Sequence, residues 1–178
     1  MIRLNIGCGS GKIDGFVNVD INDKMKPDLV LDIRKEHLPY KEESVNQIVM
    51  FHTIEHIEKK YHSLILEEFH RVLQKEGEVI FSYPEFTRCY ENWVYNRMGL
   101  REFWEATIYG RQSDESDFHV CIMNTPDFKY FLEQNAFEVV STNMEKGADY
   151  NTILKCKPIS KASYSDWLEA ETDRYTFK

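Results

Sequence analysis

The sequence predicts a single α/β domain built on a mainly parallel, seven-stranded sheet that closes with an antiparallel hairpin near its C-terminal end. Three observations carry that prediction. Short apolar runs recur along the chain with turn residues between them, as expected of strands covered on both faces. The first run passes directly into the glycine-rich turn Gly7-Cys8-Gly9-Ser10-Gly11. Crossover segments rather than tight turns separate the following runs, which indicates parallel pairing. A length of 178 residues suits one domain with a substantial core.

The first strand is expected at Arg3 to Ile6 and the second at Phe16 to Asp20. Only nine residues, Gly7 to Gly15, separate them, too few for a long crossover helix. The third strand reads Asp28 to Asp32 and the fourth Gln47 to Phe51. Glu58 to Lys75 has helical periodicity. Tyr61, Ile65, Phe69 and Val72-Leu73 recur at three- and four-residue steps, with Lys59, Glu67, Glu68 and Arg71 on other faces. Gly77 suits the exit of that helix. A fifth strand runs from Glu78 to Tyr83 and stops at Pro84.

Phe86 to Gly110 is rich in aromatics at roughly helical spacing, broken at Gly99, and more simply explained as core or a dimer contact than as a sugar platform. A polar loop covers Gly110 to His119. The next helix starts at Thr125-Pro126, with Thr125 as cap and Pro126 as its first residue, and ends near Asn135. Phe137 to Thr142 and Tyr150 to Lys157 form the closing hairpin through Glu145-Lys146-Gly147. Residues 1–160 make the domain, and 161–178 a helical tail.

Composition narrows the function. A formal net charge of −8 disfavours a broad basic surface, so no nucleic-acid partner is expected. The four cysteines, Cys8, Cys89, Cys121 and Cys156, have no framework spacing and read as free thiols in a reducing compartment. No apolar run has the length of a membrane span and no leader is expected. The expectation is a cytoplasmic protein.

The chemistry concentrates at the strand ends. Gly7, Gly9 and Gly11 allow a sharp turn and close approach of backbone to a ligand, although a tight turn without a ligand would use the same residues. Asp20 ends the second strand, where a carboxylate can accept hydrogen bonds from both ribose hydroxyls of an adenosine. Asp32 ends the third and could reach an adenine amino group. A Rossmann-type nicotinamide site would need G-x-G-x-x-G opening a full helix. Position 12 is Lys and the helix has no room, so that reading ranks low.

Leu4-Asn5-Ile6-Gly7-Cys8-Gly9-Ser10-Gly11, Asn18-Val19-Asp20-Ile21, Leu31-Asp32-Ile33-Arg34 and Phe51-His52-Thr53-Ile54-Glu55-His56-Ile57 together resemble the class I S-adenosylmethionine-dependent methyltransferases, in their small-molecule, type 11-like branch. Tyr83-Pro84-Glu85-Phe86, Tyr109-Gly110, His119, Thr125-Pro126-Asp127 and Asn135-Ala136-Phe137 resemble a saccharide-associated or phage-type subgroup. The resemblance implies a Rossmann-like fold, S-adenosylmethionine as cofactor with S-adenosylhomocysteine as product, and a small-molecule or saccharide acceptor. It implies a cofactor site made by Asn5, Gly7, Cys8, Gly9, Ser10, Gly11, Asp20, Ile21, Asp32, Ile33, Phe51, His52 and Thr53.

The family usually carries Asp or Glu where this chain has Asn5, which weakens any contact there with the cofactor ammonium. The short first crossover implies an open cofactor site, covered by the aromatic segment or by a second subunit, so a homodimer is one expectation. His119, and after it His56, are the candidate bases, each with a structural role as the competing reading. Tyr83, Glu85 and Tyr109 are candidate acceptor-pocket residues.

His52-Thr53-Ile54-Glu55-His56 also fits H-x-x-E-H, a zinc motif of helices. Here it directly follows a strand, so no metal is expected. The alternative to an enzyme is a non-catalytic S-adenosylmethionine-binding module acting through a protein partner.

Overall fold

The computed structural model describes residues 1–95, 101–113 and 117–160. Gly99 and the tail expected over 161–178 lie outside them. Seven strands form one sheet in the order β3-β2-β1-β4-β5-β7-β6. They are β1 (Ile2–Ile6), β2 (Val17–Asp20), β3 (Leu29–Val30), β4 (Val45–Phe51), β5 (Leu73–Pro84), β6 (Phe137–Glu145) and β7 (Ala148–Pro158). The first five pair in parallel; β7 inserts antiparallel between β5 and β6. The helices are α1 (Lys59–Val72), α2 (Phe86–Val94), α3 (Arg101–Tyr109) and α4 (Thr125–Gln134), with short 3-10 turns at Asp23–Met25 and Ile54–His56.

The apolar runs become strands because both faces of the sheet centre are covered. Leu4, Ile6, Val45, Ile48 and Met50 are buried, and Ile65, Leu66, Phe69 and Val72 of α1 join them in one core with Phe81, Phe128 and Phe137. Burying one such side chain contributes about 1.5–3 kcal/mol relative to leaving it exposed. No helix lies between β1 and β2, as the nine-residue spacing requires. All four cysteines are buried, free thiols. Among the described residues no helix is long and apolar enough to cross a membrane.

Several boundaries differ from the sequence reading. The third strand is only Leu29–Val30, because the Asp28 carboxylate turns back to accept from the Asn18 backbone and side-chain amides, each at 2.8 Å. The chain then turns at Asp32, whose carbonyl accepts from Lys35 and Glu36. Helix α1 stops at Val72 rather than Lys75, because Leu73 is drawn into the sheet and pairs with Val45. The next matched pair is Gln47 with Glu78, so Gln74 to Gly77 bulge from β5, and Gly77 lies in that bulge instead of at a helix exit. Helix α4 is capped by Asn124, which accepts from the Asp127 amide, and not by Thr125. The Thr125 hydroxyl instead accepts from Tyr83 and bonds Thr152.

Glu68, placed by periodicity away from the apolar face, is buried under Leu38. Its carboxylate accepts from the Leu38 amide at 2.7 Å and from Arg71 at 2.6 and 2.9 Å, and lies 2.9 Å from His37 Nδ1. Burial pushes its pKa up, but Arg71, His37 and the Leu38 amide together hold it below the usual carboxylate range. Arg71 also donates to the Tyr40 and Leu38 carbonyls, so the pair ties the loop before β4 to α1. Glu68→Gln removes the charge from this knot at nearly constant volume and is expected to lower unfolding stability by roughly 1–3 kcal/mol in urea titration; an unchanged midpoint would show that the knot contributes nothing net.

Candidate functional site

An open cavity of about 1000 Å³ lies over the carboxyl ends of the parallel strands, where the strand order reverses between β1 and β4. In open α/β sheets ligands bind at this crevice. One end is lined by Gly7, Gly9, Ser10, Asp20, Ile21 and Ile33, the other by His52, Glu55, His56, His119 and Asn151 under Phe103 and Thr107 of α3.

The glycine loop is held from below. The Val19 carbonyl accepts from both the Gly7 and Cys8 amides, at 2.8 and 3.0 Å, and Gly11 N donates to Cys8 O at 2.7 Å. Gly7 has φ +68°, and a β-carbon there would collide with the Thr53 side chain. Thr53 in turn donates to the Phe51 carbonyl at 2.9 Å and reaches the Gly7 carbonyl at 3.2 Å. Gly9, at φ +48°, faces open space where a side chain would stand. Its amide donates to Asp20 Oδ2 at 2.7 Å, while Asp20 Oδ1 accepts from Asn22 N at 2.8 Å.

Asn5 does not face the cavity. It is buried behind the loop, and its Nδ2 donates to Gly11 O at 3.0 Å and to Asn18 Oδ1 at 2.9 Å. Asn18 Oδ1 also accepts from the Ile13 amide at 2.8 Å. A carboxylate at position 5 has no proton for either partner, which accounts for Asn where an acid was anticipated. Buried Cys8, Gly11 and exposed Phe51 also stand outside the cavity lining.

Asp32 lines the cavity but gives its carboxylate to Arg34, with contacts of 2.8 and 3.0 Å. That pairing holds its pKa down to about 2. His52 sits in the left-handed region at φ 48°, where its amide donates to Ser82 O at 2.8 Å. Its ring lies 3.5 Å from both Glu55 and Glu145, and these carboxylates, Glu55 foremost, raise its pKa against the opposing effect of burial.

The loop carrying His119 is strapped down at two points. His119 N donates to Tyr109 O, and the Glu55 carbonyl accepts from Val120 and Cys121. His119 and His56 meet edge to face with ring centroids 4.7 Å apart. His56 Nδ1 lies 3.0 Å from the Phe118 carbonyl. Burial pushes the His119 pKa below the ordinary imidazole range, so the ring is neutral at neutral pH. Tyr83 and Glu85 are buried away from the cavity: Tyr83 donates to Thr125, and Glu85 caps α2 by accepting from Arg88 N. Tyr109 is exposed outside the lining. Of the aromatic segment, Trp104 is core, packed edge to face on Tyr150, and Phe103 reaches the cavity.

Residues 4–81 match the family described as a methyltransferase domain. That stretch contains the glycine loop, Asp20, Asp32 and Glu55. That match covers less than half of the chain. Among solved structures, an S-adenosylmethionine-dependent methyltransferase from Methanosarcina mazei is 19% identical and covers 88% of this chain and 92% of its own, with a TM-score of 0.62. One from Mesorhizobium loti is 14% identical, with 88% and 90% covered and a TM-score of 0.62. The 1,6-didemethyltoxoflavin-N1-methyltransferase of Burkholderia thailandensis, solved with S-adenosylhomocysteine, is 11% identical, with 89% and 71% covered and a TM-score of 0.60. Identities this low carry the fold. No curated protein matches the sequence.

The cavity has open space above Gly9, a carboxylate at Asp20 beside it, and Ile21 and Ile33 on its wall. Sequence reasoning missed Asn151, Phe103 and Arg111 on the wall, and the burial of Glu55. Asn151 had a visible signal, a polar residue inside an otherwise regular strand run. The depth of Glu55 had none, since it depends on a loop more than sixty residues away.

Asn5→Asp replaces the two amide donations with acceptor–acceptor contacts. It is expected to destabilise the protein by about 1–3 kcal/mol at neutral pH, and calorimetric melting checks this. A melting temperature equal to that of the parent protein would mean that the clamp behind the loop is not formed.

Proposed function

We propose that the chain is an S-adenosylmethionine-dependent methyltransferase and that it transfers the methyl group to an oxygen of a polar small molecule or saccharide. The observation that carries the reading is a single cavity joining Gly9 and Asp20 at one end to Glu55, His56 and His119 at the other. Arg111, Ser113, Asp117 and Asn151 add polar groups on the acceptor side, which favours an acceptor rich in hydroxyls over an apolar one.

Bound S-adenosylmethionine supplies an electrophilic sulfonium methyl. In this reading the backbone at Gly9 lies against the ligand, and Asp20 accepts from the ribose hydroxyls with the lone pairs left after Gly9 and Asn22. Ile21 and Ile33 cover the base, and Asp32 accepts from its amino group while held by Arg34. Ser10, His52 and Thr53 line the methionine side. On the acceptor side, positioning and exclusion of water provide most of the acceleration. The acceptor hydroxyl gives its proton to His119, which burial keeps neutral and able to accept it, with His56 as the second candidate.

A binding module acting only through a partner is not favoured. Asn5, the departure that suggested it, is accounted for by the clamp behind the glycine loop.

S-adenosylmethionine or S-adenosylhomocysteine is expected to raise the melting temperature, by up to about 2.7 kcal/mol of added stability at a hundredfold excess over Kd. Asp20→Ala is expected to abolish the shift. A shift with NAD and none with either adenosyl ligand would overturn the assignment. In a labelled-methyl screen over sugars, nucleotide sugars and small acids, His119→Ala is expected to cut turnover by roughly 10²–10⁴-fold while the S-adenosylhomocysteine shift persists. Unchanged turnover would remove His119 from the mechanism.

A further inference from the structure

Glu55 is the most anomalous side chain in the cavity. It is 1% exposed, yet neither carboxylate oxygen has a hydrogen-bond partner among the described residues. Its nearest cationic group, His52 Nδ1, stands 3.5 Å from Oε1. An ionised carboxylate kept from water without hydrogen bonds costs several kcal/mol. A native structure retains such a group where a ligand or ion completes it.

Two imidazoles face the same point. One ligand atom each from Glu55, His56 and His119 lie within 4.8 Å of one another. The Phe118 carbonyl, 3.0 Å from His56 Nδ1, fixes the tautomer that leaves Nε2 with a lone pair, the outer-shell arrangement that orients metal-binding histidines. The Val120 and Cys121 amides, bonded to the Glu55 carbonyl, hold the His119 loop against the residue that would share its ion. Ligands on bonds of about 2.1 Å stand roughly 3–3.5 Å apart, so modest side-chain rotation closes the site.

We propose that Glu55, His56 and His119 bind one divalent cation at the acceptor end of the cavity. Two nitrogens and one carboxylate favour a first-row ion such as Zn²⁺ or Mn²⁺ over Mg²⁺ or Ca²⁺. Three protein ligands leave positions open toward the cavity for an acceptor oxygen. With the ion in place the two histidines are ligands. A hydroxyl bound to the ion is acidified there and loses its proton to solvent instead of to an imidazole. The site differs from the H-x-x-E-H pairing of His52 with His56, because Ile54–His56 form a 3-10 turn and the second imidazole comes from His119. Binding of the ion does not depend on methyl transfer and is read without S-adenosylmethionine.

The test is calorimetric titration of the chelator-treated full chain with Mn²⁺ and Zn²⁺, together with Co²⁺ absorption as a report of nitrogen ligation. One ion per chain is expected. Glu55→Gln and His119→Ala are each expected to weaken uptake by roughly 100-fold or more, and His52→Ala by only a few-fold. The S-adenosylhomocysteine melting shift is followed in every variant. A shift that persists in His119→Ala shows that the cavity is folded, so loss of ion uptake there reports ligation. No uptake of any of the three ions by the parent chain would overturn the inference and leave the methyltransferase reading standing. So would uptake that survives His119→Ala but is lost in His52→Ala.

Discussion

The contact between Gly7 and Thr53 sets the geometry on which the site depends. The ends of β1 and β4 must diverge to open a crevice, yet the turns that follow them pack against each other. A side chain at Gly7 would occupy the space of Thr53, and its φ of +68° is unfavourable for other residues. Thr53 uses the closeness by bonding back to the carbonyls of Phe51 and Gly7. The two turns therefore form one rigid lip. Gly9 and Asp20 hang from one side of it and Glu55 and His56 from the other.

The Asn5–Asn18 pair gives that lip a fixed floor. A short connection with no crossover helix cannot present the helix N-terminus that usually stiffens a glycine loop. Here the stiffness comes from side-chain amides instead: Asn5 holds Gly11, Asn18 holds Ile13, and Asp28 holds Asn18. The shortened third strand belongs to the same arrangement, because Asp28 turns inward for this purpose. Cover comes from α3 and Tyr150 on the far side of the chain, where Phe103 and Trp104 pack edge to face on the Tyr150 ring.

Much of the fold was legible in the sequence because it rests on local patterning. The apolar runs, the glycine turn and the hairpin turn near Gly147 each announce themselves within a few residues. Asp20 and Ile33 were legible as wall residues for the same reason: parallel register puts strand ends together. What escaped depends on distant partners. The helix periodicity of α1 gave no reason to stop at Val72, since the cause is Val45 on another strand. Glu68 looked like a solvated position until the loop at Leu38 closed over it. Asn5 was read against the cofactor, whereas its two donations point to Gly11 and Asn18. Tyr83 and Glu85, chosen for their chemistry, are spent on Thr125 and on the start of α2.

The acceptor end shows the same division at its sharpest. The run from His52 to His56 contains three groups capable of binding or acid–base work, but a linear motif cannot say which of them meet. The backbone answers differently from the helical spacing: the 3-10 turn at Ile54–His56 follows His52 at a left-handed φ, which separates His52 from His56 and sends its ring toward Glu145. Glu55 goes inward, and the loop bonded to its carbonyl brings His119 to His56. A buried carboxylate without hydrogen bonds opposes folding. Its position on the cavity wall beside two imidazoles is what makes that cost intelligible as part of a binding site.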